Sequence, residues 1–242
     1  MAIIQQRVRL MASLQYFGHS FFQLGLERNI LIDPFLQSSC SSTKRLISCP
    51  VLQKNLGNVS MILISHEHPD HFDKPLIEKI ASKQDTLVVA HDSVLNELRI
   101  SPRQKIPIRV DSKIQLRNVN IKAYCAHHPR SFYPLSFLLE FNGMKLFHAG
   151  DTELLDELEH IKTDIALLPI GGGPEQTTEL TTMDIIDAVK ATKSIKPKVV
   201  IPMHYNTFET IKVDPQDFKA RIEKSNLKTQ VRVMAPGEKI QL

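Results

Sequence analysis

Residues 60–71 read SMILISHEHPDH. The first six form a short, apolar, β-leaning run, as expected of a strand buried on both faces. The run opens into a loop that carries four potential metal ligands, His66, His68, Asp70 and His71, within six positions. A helix or a strand would spread these side chains over several directions. A loop changes direction at each residue and can aim all four at one point, and Pro69 stiffens it. Imidazole nitrogen and carboxylate oxygen without thiolate suit zinc or a comparable first-row metal. The competing reading is a surface loop that happens to be rich in histidine and acid. Three further candidates in the same setting weigh against it. His128 follows the strand expected at 121–125, Asp151 the one at 144–148, and His204 the one at 198–202. Strand ends along one sheet edge are where α/β sites assemble.

Outward from the loop, strands are expected at 13–17, 21–26 and 29–32, with a turn at Gly18, His19 and Ser20 and a stop at Asp33-Pro34. Residues 37–57 read as a long polar loop of the kind that is functional or mobile. A helix at 75–82, a strand at 86–90 and a helix at 92–98 begun by Asp92 follow. Three short strands lie within 105–125. Residues 135–141 and 144–148 form a hairpin turned by Asn142-Gly143. A helix at 153–160 and a strand at 164–170 ending in Gly171, Gly172 and Gly173 come next. Thr181 or Thr182 is expected to cap a helix running through Thr192, with Asp184 in its first turn. A strand at 198–202, a helix at 215–224 and a return to strand over 231–242 complete the chain. The order is strand-rich and then mixed, twice over, which predicts two packed sheets with helices on the outer faces.

The bulk numbers agree with one compact domain at 13–242, preceded by a loosely held extension at 1–12. The 242 residues are 42% hydrophobic and 23% charged, enough for a substantial core without disulfides. A net charge of +4 suits a small anionic substrate and is too weak to argue for nucleic acid. Cys40, Cys49 and Cys125 are odd in number and lack CxxC spacing, as expected of reduced thiols in the cytoplasm. No signal peptide is visible, and no apolar run nears the ~20 residues of a membrane span. No GxSxG is present, which removes the main nucleophilic-serine alternative.

The motif His66-x-His68-x-Asp70-His71 resembles the HxHxDH signature of the metallo-β-lactamase fold superfamily. Gly150-Asp151-Thr152 is similar to its bridging-aspartate motif, and Pro202-Met203-His204-Tyr205 to its last-histidine motif. The likeness runs from about Ser13 onward. It looks closest to small metal-dependent hydrolases related to the ascorbate-6-phosphate lactonase branch. The resemblance implies an α/β fold, the four-layer αββα sandwich. It implies two divalent ions, zinc first, with Mn²⁺ or Fe²⁺ as alternatives. His66, His68 and His128 would hold one, Asp70, His71 and His204 the other, and Asp151 would bridge. Asp70 and Asp151 are then the catalytic carboxylates, and the implied chemistry is attack by a metal-activated hydroxide on an ester, lactone or phosphoester of a small molecule. The alternatives are a phosphodiesterase or nuclease acting on nucleotides, and a metal-binding protein without catalysis. A di-iron flavoprotein relative would carry Glu in place of His68 and a flavin domain. A homo-oligomer fits the habits of related proteins.

Two departures from the pattern stand out. His127 and His128 compete for one ligand position, and His128 is preferred because it directly precedes Pro129. The connection 171–182 is longer than in relatives, and its residues 174–179 are expected to reshape the pocket mouth. Among the remaining candidates, Asp33 is expected to hold the ligand loop through backbone hydrogen bonds, and Asp73 to cap a helix. His19 either lines the pocket or serves a turn. Tyr205 either steadies a leaving group or packs as an ordinary aromatic. The glycines at 171–173 either approach a phosphate or make a plain turn. His91, His148 and His160 are read as ordinary histidines.

Overall fold

The structure is a computed structural model, and it describes residues 11–173 and 182–242. Most of the expected extension and the segment 174–181, Thr181 included, lie outside the described residues.

Strands β1 (Ser13–Tyr16), β2 (Phe22–Gly25) and β3 (Asn29–Ile32) make an antiparallel meander. The loop after β3 carries a small ribbon, β4 (Ser39–Cys40) against β5 (Thr43–Lys44). The sheet then continues in parallel through β6 (Val59–Leu63), β7 (Leu87–Ala90) and β8 (Lys105–Pro107). The second sheet repeats the scheme. Strands β9 (Lys113–Leu116), β10 (Val119–Cys125), β11 (Leu135–Phe141) and β12 (Met144–His148) are antiparallel neighbours. Strands β13 (Ile165–Pro169), β14 (Val199–Met203) and β15 (Gln230–Val231) extend them in parallel. Strand β16 (Lys239–Gln241) returns to pair with β1. Among the described residues this gives two seven-stranded sheets.

The apolar run at 60–65 shows why the sheets stack. Along β6, Met61 and Leu63 enter the core shared with Leu135, Phe137 and Leu139 of β11. Their neighbours Ile62 and Ile64 join Leu76, Ile77 and Ile80 of α1 (Lys74–Ala81) and Val94 and Leu95 of α2 (Asp92–Glu97). The period of two thus feeds two apolar layers from one strand. On the far side, α3 (Ile185–Ile195) and α4 (Pro215–Glu223) bury Ala188, Ala191, Phe218 and Ile222 against the second sheet. The result is the expected four-layer sandwich. Among the described residues no helix is long and apolar enough to cross a membrane.

Local differences have local causes. The α3 cap is Asp184, whose carboxylate accepts from Asp187 N at 2.8 Å, while the Thr182 hydroxyl donates to Thr152 O. His91 rather than Asp92 caps α2, its Nδ1 accepting from Ser93 N at 3.2 Å. The helix expected at 153–160 is only a 3-10 turn at Asp156–His160, because Leu158 is its sole buried residue. The final strand is split by Gly237, which sits at a φ of +95°.

Candidate metal centre

The direction of the strands brings the predicted residues together. Strands β3 and β6 run parallel, as do β12, β13 and β14, and β10 runs alongside β12 with one antiparallel strand between. Their C-terminal ends therefore point to one edge, where 66–71, His128, Asp151 and His204 lie. Asp33, which ends β3, is fully buried and holds the ligand loop. Its Oδ1 accepts from Ser65 N at 2.7 Å, and its Oδ2 accepts from the Ser65 hydroxyl at 2.6 Å and His71 Nδ1 at 2.8 Å. Glu67 faces the other way and accepts from Ser131 Oγ and Phe132 N, tying the loop to the segment that carries His128.

Two groups of donors result. His66, His68 and His128 form one; His19, Asp70, His71 and His204 form the other, and within each group the donor atoms lie within 4.8 Å of one another. His66, His71 and Asp151 form a third such set that joins them. Asp151 Oδ2 stands 3.0 Å from His204 Nε2 and 3.3 Å from His71 Nε2.

Proton bookkeeping shows that a cation fits. The Ser65 hydroxyl gives its one proton to Asp33, so the 2.9 Å contact between Ser65 Oγ and His66 Nδ1 is a donation from His66. Burial, and next the charge of His71, hold the His66 pKa well below 6.5. His66 is neutral, and its Nε2 is a bare lone pair. His68 Nε2 faces a carbonyl, Arg130 O, at 3.1 Å and donates to it, which leaves Nδ1 as the nitrogen that His68 turns toward the cluster. The His66 Nε2 lone pair lies 3.1 Å from His68 Nδ1, and His128 Nε2 is 3.0 Å from the same Nδ1. Three ring nitrogens converging at this separation are a donor arrangement that a cation can occupy. Tetrahedral zinc with bonds of ~2.0–2.1 Å wants donors about 3.3 Å apart, close to what is seen. In addition, Asp151 Oδ1, His204 Nδ1 and His19 Nδ1 are buried without a hydrogen-bond partner.

The electrostatics suit the same purpose. Burial pushes Asp151 upward, but His204 and His71 outweigh it and hold the carboxyl well below its usual range. Burial likewise opposes ionisation of Asp70, and the hydrogen bond from His19 at 3.1 Å overrides it. His19 itself is lowered to about 4 by burial and by His204. Burial also opposes protonation of His71, but Asp151 and Asp33 raise its pKa well above 6.5. A cation on His71 Nε2 would displace that proton.

A family profile described as "Beta-lactamase superfamily domain" matches residues 28–205. A UPF0173 metal-dependent hydrolase from Staphylothermus marinus is 33% identical over 94% of this chain and 98% of its own length. This chain belongs to that family. The structure of Igni18, a metallo hydrolase from Ignicoccus hospitalis, is similar with a TM-score of 0.79 at 32% identity, covering 96% of this chain and 98% of that one. The metallo-beta-lactamase fold protein YhfI from Bacillus subtilis shares the fold at 14% identity, with a TM-score of 0.73 and 96% and 99% coverage.

Within this UPF0173 chain the remaining candidates sort by contact. His127 is exposed and pairs with Glu153 at 2.8 Å, whereas His128 is buried in the cluster. His148 spends both nitrogens on backbone, Ser20 O and Gly150 N. His91 stacks on Tyr133, and His160 is exposed beside Glu159. Asp73 caps α1 and also accepts from Leu36 N and Gln37. A Cβ on Gly171 would stand 2.1 Å from His204 O, so this glycine is needed for close approach of the last-histidine loop. Gly150 turns the chain at a φ of +61° and delivers Asp151. The role left open for His19 resolves to both options at once: it occupies the turn at a φ of +60°, and its ring meets Asp70 and His204. The available signal was the residue type, since histidine is among the few side chains enriched at positive φ. The clamp formed by Glu67 went unread, because nothing in the sequence marks its partners.

Proposed function

We propose that this chain is a metal-dependent hydrolase that uses two divalent ions, zinc in the first place and Mn²⁺ or Fe²⁺ as alternatives. His66, His68 and His128 would hold one, and Asp70, His71 and His204 the other, with Asp151 shared. The observation that carries the reading is the convergence of His66 Nε2, His68 Nδ1 and His128 Nε2, at 3.0–3.1 Å from the central nitrogen. Bound there, the ions supply Lewis acidity and a water nucleophile at neutral pH. The protein's own part is to orient and to move protons. Asp151 is buried between two imidazoles and fixes their spacing. Asp70 is the acid that solvent reaches, its side chain 20% exposed against 5% for Asp151. His19 holds its Oδ2, and the carboxylate's other oxygen would accept a proton from the attacking water. The names of the relatives support hydrolysis. The bond, an ester, lactone or phosphoester of a small anionic molecule, rests on the donor set and the net charge of +4. The lactone stands on the sequence likeness to the ascorbate-6-phosphate lactonase branch alone.

Metal content per chain, by elemental mass spectrometry on wild type and Asp151→Ala, is the first test. Near two ions in wild type and a clear loss in the variant justify a screen of lactones and phosphoesters. One ion or none after reconstitution overturns the dinuclear reading. A full complement of metal with no turnover of any ester class points to a binding protein instead.

A further inference from the structure

A second feature lies beside this centre and does not belong to its donor set. The long loop 37–57 is pinned over the sheet edge by Arg45 N to Ser38 O and Leu46 N to Thr207 O. It walls a cavity of about 330 Å³ against Tyr16, Tyr205, Met234 and Pro236. Arg45 projects into this space. A guanidinium has five N–H donors. Here Nη1 donates to Phe35 O at 2.9 Å, and the plane lies over the Phe35 ring at 4.7 Å. Nε is buried with no hydrogen-bond partner. Among the described residues no carboxylate pairs with Arg45. Glu238 also lines the cavity, but its two oxygens are taken by Arg232 and Ala235 N. Burial lowers the Arg45 pKa and is the largest influence on it. A half-buried cation with an idle Nε is costly without an anion. Tyr205 adds a hydroxyl without a hydrogen-bond partner among the described residues. The rest of the wall is largely apolar.

We propose that this cavity binds the oxyanion, carboxylate or phosphate, of a small molecule with an apolar body, with Arg45 as its principal ligand and Tyr205 as a further donor. The planar fork of arginine matches either anion in a bidentate way. The site borders the metal centre through the backbone, because Gly18 precedes His19 and Tyr205 follows His204. It stands on its own geometry and does not require the centre to be hydrolytic.

The test is calorimetric titration of the full chain with benzoate and with phenyl phosphate, which separates the two anion sources. Saturable binding of at least one is expected. Arg45→Met is expected to weaken it about tenfold or more, as loss of a charge-assisted pair does, and Tyr205→Phe by a smaller factor. Asp151→Ala is expected to leave it unchanged, which distinguishes this cavity from an anion sitting on the metals. Absence of saturable binding overturns the proposal, as does binding that survives Arg45→Met or vanishes in Asp151→Ala. Should Arg45→Met fail to fold, a crystal of wild type with 4-bromobenzoate decides: bromine signal beside Arg45 supports the site, and signal only elsewhere refutes it.

Discussion

Asp33→Asn is the substitution that most directly tests how the ligand loop is held. The change is isosteric, and asparagine tolerates the φ of +47° at this position, so backbone strain is not altered. What changes is hydrogen-bond polarity. Asp33 accepts three bonds, from Ser65 N, Ser65 Oγ and His71 Nδ1. The amide keeps one oxygen, which serves Ser65 N. Its NH₂ group then faces the Ser65 hydroxyl and His71 Nδ1. The hydroxyl can rotate to accept, so that bond is weakened more than lost. In metal-free protein at neutral pH His71 carries a proton on each nitrogen, so its Nδ1 can accept from the amide only by giving up its own proton. One bond to a charged group is therefore lost nearly in full, about 1.5–3 kcal/mol. In a chain of this size that lowers Tm by roughly 4–10 °C for protein stripped of metal. With a cation on Nε2 the remaining His71 proton would sit on Nδ1 and face the amide NH₂, so metal affinity is expected to fall about 10–100-fold. Thermal unfolding followed by circular dichroism in chelator reads the first effect, and competition against a chromophoric chelator reads the second. Wild-type Tm together with wild-type metal retention would refute the claim that Asp33 sets the His71 tautomer.

The other expectations concern single contacts. His128→Asn is expected to remove metal and His127→Asn to keep it, as read by elemental mass spectrometry; the reverse result would place His127 in the donor set. Gly171→Ala drives a Cβ to 2.1 Å from His204 O, a backbone atom, and is expected to cost about 1–3 kcal/mol or more, whereas Gly173→Ala meets nothing within 4 Å and leaves Tm unchanged. Equal Tm values for the two alanine variants would contradict this. Acid is expected to destabilise metal-stripped protein between about pH 6.5 and pH 4. His19 has its pKa lowered to about 4, so below 6.5 the unfolded chain takes up a proton that the folded chain refuses, and stability falls with pH by up to about 3 kcal/mol. His66 and His148 are shifted in the same direction, while His71, shifted upward, acts on the alkaline side. His19→Asn should flatten the slope; an unchanged slope would show that His19 titrates normally.

The legible part of this fold was the part whose cause is local. The run 60–65 has the composition of a strand buried on both faces, and both faces of β6 are buried. The Asn142-Gly143 turn lies at φ +50° and +78°, as a two-residue hairpin demands, and both hairpin strands fall within the expected bounds. Four ligand candidates in six residues could be read because a loop keeps neighbours together in space. The less legible parts depend on contacts across the chain. The choice between His127 and His128 is one of side-chain direction at the end of β10, which residue type does not reveal. The cap of α3 went to Asp184 because Thr182 is buried against Thr152, thirty residues away in sequence.

Four positions around the site share a physical trait. His19, Asp33, His204 and Asn206 all lie at positive φ, between +47° and +60°. Each follows or links a strand of the site edge, and each reverses the backbone. His19 and His204 turn their rings back toward the cluster, Asp33 turns its carboxylate onto Ser65 and His71, and Asn206 accepts from Val213 N to close the last loop. A strand that simply ran on would carry these side chains away from the sheet edge. Left-handed backbone costs on the order of 1 kcal/mol per residue for ordinary side chains and less for histidine, aspartate and asparagine. The choice of these residue types therefore serves two ends, chemical and conformational. Replacing His19 or His204 by alanine would remove the donor and raise the strain together. For that reason asparagine, which keeps the left-handed turn while deleting the imidazole, is the substitution that isolates the ligand role.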